Sequence, residues 1–169
     1  MSEKSVNEAV SFGERLASSQ AFADLFRDGM ALVEETAAYL DGPGRTESKK
    51  LERNSALAYA TESMRLTTRL MQLASWLLLH RAVKEGEMSL AQANKEKAKV
   101  KLSASEHNDE QNIKLLPERL RALIQRSKGL QSAVRRLDAT IHATIPTRID
   151  RGNPVERQLG LLKAAFERE

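Results

Sequence analysis

The stretch Arg69–Val83, RLMQLASWLLLHRAV, decides how this chain folds. A helix turns about 100° per residue, so with Leu73 at zero Trp76, Leu77, Leu78 and Leu79 fall at roughly 300°, 40°, 140° and 240°. Between Leu73 and Leu79 only Ser75 is polar. A helix that is apolar all round is buried all round. The rest of the sequence must supply what surrounds it.

Working outward, the same helix is expected from Thr46 or Glu47 to about Glu85, with Gly86 ending it. At ~1.5 Å per residue it is roughly 60 Å long. One apolar stripe runs Leu57, Ala60, Met64, Thr67, Met71, Ala74 and Leu78, and a neighbouring one Leu66, Leu70, Leu73 and Leu77. Together they form a face wide enough to receive two other helices. A first helix is expected over Ser19–Asp41, on the stripe Phe22, Phe26, Met30, Val33, Ala37 and Leu40. Gly42-Pro43-Gly44 closes it, because Gly can take the left-handed conformation and Pro cannot continue a helix. A third helix begins near Pro117, which suits a first helical position, and ends near His142. Its stripe Leu116, Leu120, Leu123, Ser127, Leu130, Val134, Leu137 and Ile141 steps regularly by four and three.

Between the second and third helices, Ser89-Leu90-Ala91-Gln92 is a capping box and predicts a short connector helix from Leu90 to Val100. The polar run Ser103–Asn112 reads as a loop. The fold class expected is therefore all-α: an antiparallel three-helix bundle with a short connector helix and a flexible C-terminal tail. Residues 1–18 read as a flexible N-terminal segment, 19–142 as the bundle domain and 143–169 as the tail. Within the tail, Val155, Leu159, Leu162 and Phe166 recur at helical spacing behind Pro146, Gly152 and Pro154. They are the candidate tail-docking residues, and folding back onto the bundle is the alternative.

Two neighbours cover the faces bearing Met71, Ala74 and Leu78 and bearing Leu73 and Leu77. They do not easily reach Trp76, Leu79 and Val83 as well. Either the connector around Leu90 or a second copy must do so. Uncovered apolar patches mark interfaces, so Trp76, Leu79 and Val83 are expected to form the interface of a symmetric homodimer.

The 169 residues suffice for one domain with a sizeable core. Apolar residues make up 41% and charged ones 30%, as in a helical globular protein. The 27 Lys and Arg against 23 Asp and Glu leave a mild positive excess that does not by itself imply nucleic acid. With no Cys, disulfides, thiolate metal sites and cysteine catalysis are excluded, which fits a reducing cytoplasm. The N-terminus lacks an apolar signal core, and Leu70–Leu79 is too short to span a bilayer. No membrane association is expected.

Catalytic patterns are missing. His80, His107 and His142 are far apart and lack metal-ligand spacing. No phosphate-loop, dinucleotide or nucleophile-elbow motif occurs. Glu34 and Glu35 diverge by about 100° on a helix and read as a solvated face. No enzyme, metal or cofactor is expected. Charge is more informative. Asp24, Asp28, Glu34, Glu35 and Asp41 make the first helix acidic, and Arg119, Arg121, Arg126, Lys128, Arg135 and Arg136 make the third basic. Pairing within the bundle accounts for this, as would a strip for an acidic partner. Nucleic acid is disfavoured, since no aromatic residue interleaves the bases. Arg65 and Arg69 repel each other unless acids lie nearby. Glu62, Arg65, Arg69 and Gln72 are therefore a candidate partner-docking strip, with structural ion pairing as the alternative.

LVEETAAYLDGPGR (32–45), the run from Ala56 to Leu102 containing RLTTRLMQLASWLLLHRAVKEGEMSLAQANKEK, and LPERLRALIQRSKGLQSAVRRLD (116–138) resemble the regulator of CtrA degradation (RcdA-like) family of small helical bacterial proteins. The resemblance covers roughly Ala31–Asp138. It implies a dimerising three-helix bundle without catalytic activity. It also implies an adaptor that helps the protease ClpXP degrade cell-cycle regulators such as CtrA, together with co-adaptors, and recruitment to the cell pole. The family's C-terminal segment, important for protein contacts, would fall on about Ala143–Glu169. A helical scaffold unrelated to proteolysis, or a nucleic-acid binder using the basic third helix, are the alternative functions.

Overall fold

The computed structural model describes residues 19–99 and 110–143. These residues form six helices, α1 (Gln20–Asp41), α2 (Pro43–Lys49), α3 (Arg53–Lys84), α4 (Leu90–Lys99), α5 (Glu110–Lys114) and α6 (Glu118–Ala143), and no strand occurs among them. Three are long and pack as the expected bundle. The tail residues Val155, Leu159, Leu162 and Phe166 lie outside the described residues, as do residues 1–18.

Helix ends follow local chemistry. Ser19 caps α1, its hydroxyl accepting from the Phe22 amide at 3.3 Å. Both bonds of the 89–92 capping box form: the Gln92 amide donates to Ser89 Oγ at 3.2 Å, and the Ser89 amide to Gln92 Oε1 at 3.1 Å. At the end of α3, Gly86 takes φ +75°, the Glu87 amide bonds Ala82 O at 3.0 Å and the Gly86 amide bonds Val83 O at 3.1 Å. This double closure needs a residue free of a Cβ clash at the left-handed position.

The second expected helix is broken where it was read as continuous. Pro43 starts α2, and the chain leaves helix between Lys49 and Arg53. From Thr46 to Lys50 there is no apolar side chain, so burial does not align this turn with α3. A polar clasp holds it instead. The Tyr39 hydroxyl donates to Glu47 Oε2 at 2.6 Å, tying α2 to the end of α1. Burial, the bond to Glu47 and the charge of Glu47 push Tyr39 ionisation well above the ordinary tyrosine range, and burial first of all raises Tyr59. Folding thus favours the neutral phenols. Their contribution is intact below about pH 10, where the unfolded tyrosines are also neutral, and is lost above it. Urea melts should show stability falling as the pH rises above about 10, and falling less steeply in Tyr39→Phe. Equal slopes in both proteins would disprove the coupling.

The direction of the last helix is the main difference from the sequence reading. Phe22 meets Trp76, Arg126 meets Glu35 and the Arg119 guanidinium lies over the Tyr39 ring, so α1 is antiparallel to both long partners. Arg69 bonds Ser127 while Trp76 bonds Asp138, so α3 and α6 run in the same direction. The connector makes this possible. Leu90 of α4 packs at the Trp76 end of the core, and Ile113 of α5 at the Leu66 end. The chain has returned along the bundle before α6 begins.

The core has two parts. One joins Leu32, Tyr39, Ala58, Leu66, Leu70, Leu116, Leu120, Leu123 and Ile124. The other joins Phe22, Leu73, Trp76, Leu77, Val134 and Ile141. Every residue of the expected α6 stripe is buried or half-buried. Of the two α3 stripes, Leu66, Leu70, Leu73 and Leu77 face inward, together with Ala58, Glu62, Trp76 and His80.

Candidate protein-docking surfaces

Trp76 is enclosed by its own chain. It is 1% exposed, stacks on His80 at 4.0 Å between ring centroids and packs against Phe22 at 6.2 Å. Its indole N–H donates to Asp138 Oδ1 at 2.8 Å, and Lys97 from α4 pairs with the other oxygen of that carboxylate. An indole buried in this way is satisfied only if its N–H finds a partner, and α6 supplies one. Of the expected dimer interface of Trp76, Leu79 and Val83, Trp76 is thus already enclosed within the single chain. The connector covers this side, with Leu90 against the Trp76 cluster and Leu79 lining a cleft beside Glu96 and Lys99. Leu79 and Val83 are half-buried.

The strip Glu62, Arg65, Arg69 and Gln72 turns partly into the bundle. Glu62 is buried and accepts from Arg65 Nη1 at 2.7 Å. Arg69 reaches across to α6, its Nη1 donating to Ser127 Oγ at 2.9 Å, while Ser127 donates to Ile124 O. Gln72 is half-buried, and of the four only Arg65 is exposed. Arg65 and Arg69 thus turn to different partners, Arg65 to the Glu62 carboxylate on its own helix and Arg69 to Ser127 on α6. The acidic and basic helices meet as well: Arg126 Nη1 donates to Glu35 Oε2 at 2.6 Å, both side chains about half exposed. Such a surface pair is worth ~0–1 kcal/mol, so it orients the helices more than it holds them.

His80 is fully buried with Nδ1 3.0 Å from the Trp76 carbonyl, a structural position rather than a reactive one. His107 and the side chain of His142 lie outside the described residues. Glu34 and Glu35 are exposed, as a solvated face requires. Among the described residues no group of three or more His, Cys, Asp or Glu converges to hold a metal, and no helix is long and apolar enough to cross a membrane.

The face left open is the other stripe of α3. Leu57 is 69% exposed, Met64 73%, Met71 67% and Leu78 53%. Ala60 and Thr67 between them are exposed too, and Ala74 is half-buried. The sequence reading placed this stripe against a neighbouring helix. The bundle does not cover it, because α1 and α6 both lie on the Leu66–Leu77 side. The missed signal was the partition of polar residues: Glu62 and His80 fall on the inward side, while the outward stripe carries none with a charge.

The described residues thus define an all-α bundle protein with an open apolar seam along one long helix. Comparison with known proteins places it more closely. Residues 13–166 match the family described as "Protein of unknown function (DUF1465)". The crystal structure of RcdA from Caulobacter crescentus CB15 is similar at 53% identity and TM-score 0.60, over 76% of this chain and 96% of that one. No curated protein matches. The chain belongs to this RcdA-like family.

Proposed function

We propose that the protein is a non-enzymatic, homodimeric adaptor that delivers cell-cycle regulators such as CtrA to the ClpXP protease through protein contacts. The observation that carries the reading is the 53% identity to RcdA across 96% of that chain. The surfaces support it: the described residues hold a buried core and an open apolar seam on which a protein partner can rest. Recruitment to the cell pole belongs to the same proposal. In the mechanism, the bundle holds one partner while the segment Val155–Phe166 engages another. Joining two contacts in one chain raises the local concentration of cargo by orders of magnitude without a new bond.

The test is a reconstituted degradation assay with purified ClpXP, CtrA and its co-adaptors. Full-length protein should accelerate CtrA loss. A chain ending at Ala143 should keep the melting temperature of the bundle and lose about tenfold or more of that stimulation, the lower end of what tethering provides. Equal stimulation by the shortened chain would remove the tail from the mechanism. No stimulation by the full chain would remove the adaptor reading.

A further inference from the structure

We infer that the groove between α1 and α3 docks a basic helix of a partner protein, which seats one tyrosine against Thr36. This deepens the reading above and rests on its claim that the bundle holds a protein partner, not on its protease part. The groove has a volume of about 280 Å³, with Val33 and Leu40 of α1 and Leu70, Met71 and Ala74 of α3 among its walls. Sites for whole small molecules start at about 300 Å³, so this one suits a single large side chain. Thr36 also lines it, is only 3% exposed, and its hydroxyl has no hydrogen-bond partner. Other helical hydroxyls turn back to the carbonyl four residues before: Thr67 to Ser63 at 2.9 Å, Ser75 to Met71 at 2.8 Å and Thr140 to Arg136 at 2.9 Å. Thr36 does not. Burying a hydroxyl unpaired is costly, and an occupant that brings a polar atom to the groove removes the cost. The side chain with a large apolar body and a hydroxyl at its tip is tyrosine.

Charge gives the partner its sign. The acids of α1 fall into two sets. Asp24 and Asp28 pair with Arg27, and Glu35 pairs with Arg126. Glu34 and Asp41 are exposed and have no ion pair among the described residues. Asp41 also ends α1, where the helix dipole favours a cation. These two carboxylates stand seven residues apart, roughly 10 Å along the axis. The exposed Ala37 lies between them, so all three share one edge of α1, and Ala37 and Asp41 line the groove. The facing edge on α3, Thr67, Met71 and Ala74, carries no charge. A helix laid along this groove meets both carboxylates with two lysines or arginines seven residues apart. A tyrosine between those two passes the small Ala37 and reaches Thr36.

The probe is a fluorescein-labelled, alanine-rich helical peptide with the pattern Lys-x-x-Tyr-x-x-x-Lys, read by anisotropy against the full-length protein. It should bind about fivefold more tightly than the same peptide with Phe for Tyr, the loss expected for one hydrogen bond. Its affinity should fall as salt rises. Thr36→Val, nearly the same shape without the hydroxyl, should keep the melting temperature and bind both peptides equally. Glu34→Gln/Asp41→Asn should weaken both by about fivefold, as two exposed ion pairs allow, and remove the salt dependence. No binding, a tyrosine preference that is absent or that survives Thr36→Val, or salt-insensitive binding would each overturn the inference. Tenfold tighter binding by Leu162→Asp/Phe166→Asp would make the chain's own tail the occupant, and affinity that falls as the protein is concentrated would make it a second copy. Either result would overturn the assignment to a partner protein. The degradation assay judges the protease reading separately: accelerated CtrA loss without peptide binding removes the groove alone, and peptide binding without acceleration removes the protease alone.

Discussion

Trp76→Ala should destabilise the bundle by about 3–5 kcal/mol, the range for emptying a large aromatic site. Against a typical total of about 5–15 kcal/mol this is enough to leave part of the population unfolded near physiological temperature. The indole joins helices from both ends of the sequence: Phe22 from α1, Val134 and Ile141 from α6, and Leu73, Leu77 and His80 from its own helix. Its removal leaves a cavity that these neighbours, all 1% exposed or less, have little freedom to fill. It also takes away the indole N–H that donates to Asp138 Oδ1, beside the Lys97 ammonium on the other oxygen of that carboxylate. Trp76→Phe separates the two losses. It keeps most of the packing and forfeits the indole N–H, so about 1–2 kcal/mol is expected. Urea denaturation followed by far-ultraviolet circular dichroism gives both values. A cost below about 1 kcal/mol for Trp76→Ala would mean that the site behaves as a surface, far outside the core-truncation range.

That measurement also bears on how much of the fold was legible in the residues. Helix positions were, because each long helix carries a stripe at three-four spacing and chemical punctuation at its ends: Ser19, the Ser89/Gln92 pair and Gly86 all do what their types suggest. The direction of α6 was not. Periodicity says that a face is hidden from water, and nothing about the order in which chain segments arrive. Only the return path, with Leu90 at one end of the core and Ile113 at the other, fixes it. The same limit misplaced the open face. Two apolar stripes on α3 are equally greasy in the sequence, and the inward one carries Glu62 and His80, residues that ordinarily mark an outer surface. Glu62 is tolerated there through Arg65, and His80 through the Trp76 carbonyl and the stacked indole. Arg69 shows the reverse. Its unmatched charge suggested an external partner, and a hydroxyl on α6 answers it, 58 residues away in sequence.

Two glycines inside helices should respond to alanine with opposite signs. By propensity alone, Gly→Ala within a helix gains up to about 1 kcal/mol, because alanine restricts the unfolded chain and solvates less backbone. Gly129, exposed midway along α6, should realise that gain, since a Cβ there meets nothing within 4 Å. Gly44 should not. A Cβ on this buried residue would lie 2.7 Å from the Tyr39 carbonyl oxygen and 2.6 Å from the Tyr59 hydroxyl. The phenol could swing away, but the carbonyl belongs to the last turn of α1 and moves only if that turn moves. The same residue supplies the hydroxyl that bonds Glu47, so a shift also loosens the clasp between α1 and α2. Overpacking of this kind costs about 1–3 kcal/mol and outweighs the propensity gain. Gly129→Ala should therefore raise the urea midpoint and Gly44→Ala lower it, separating the two variants by roughly 2–4 kcal/mol when the gain and the cost are combined. If both variants were stabilised, the contact between α2 and the end of α1 would have to be looser than 2.7 Å allows, and the break between α2 and α3 would need another cause.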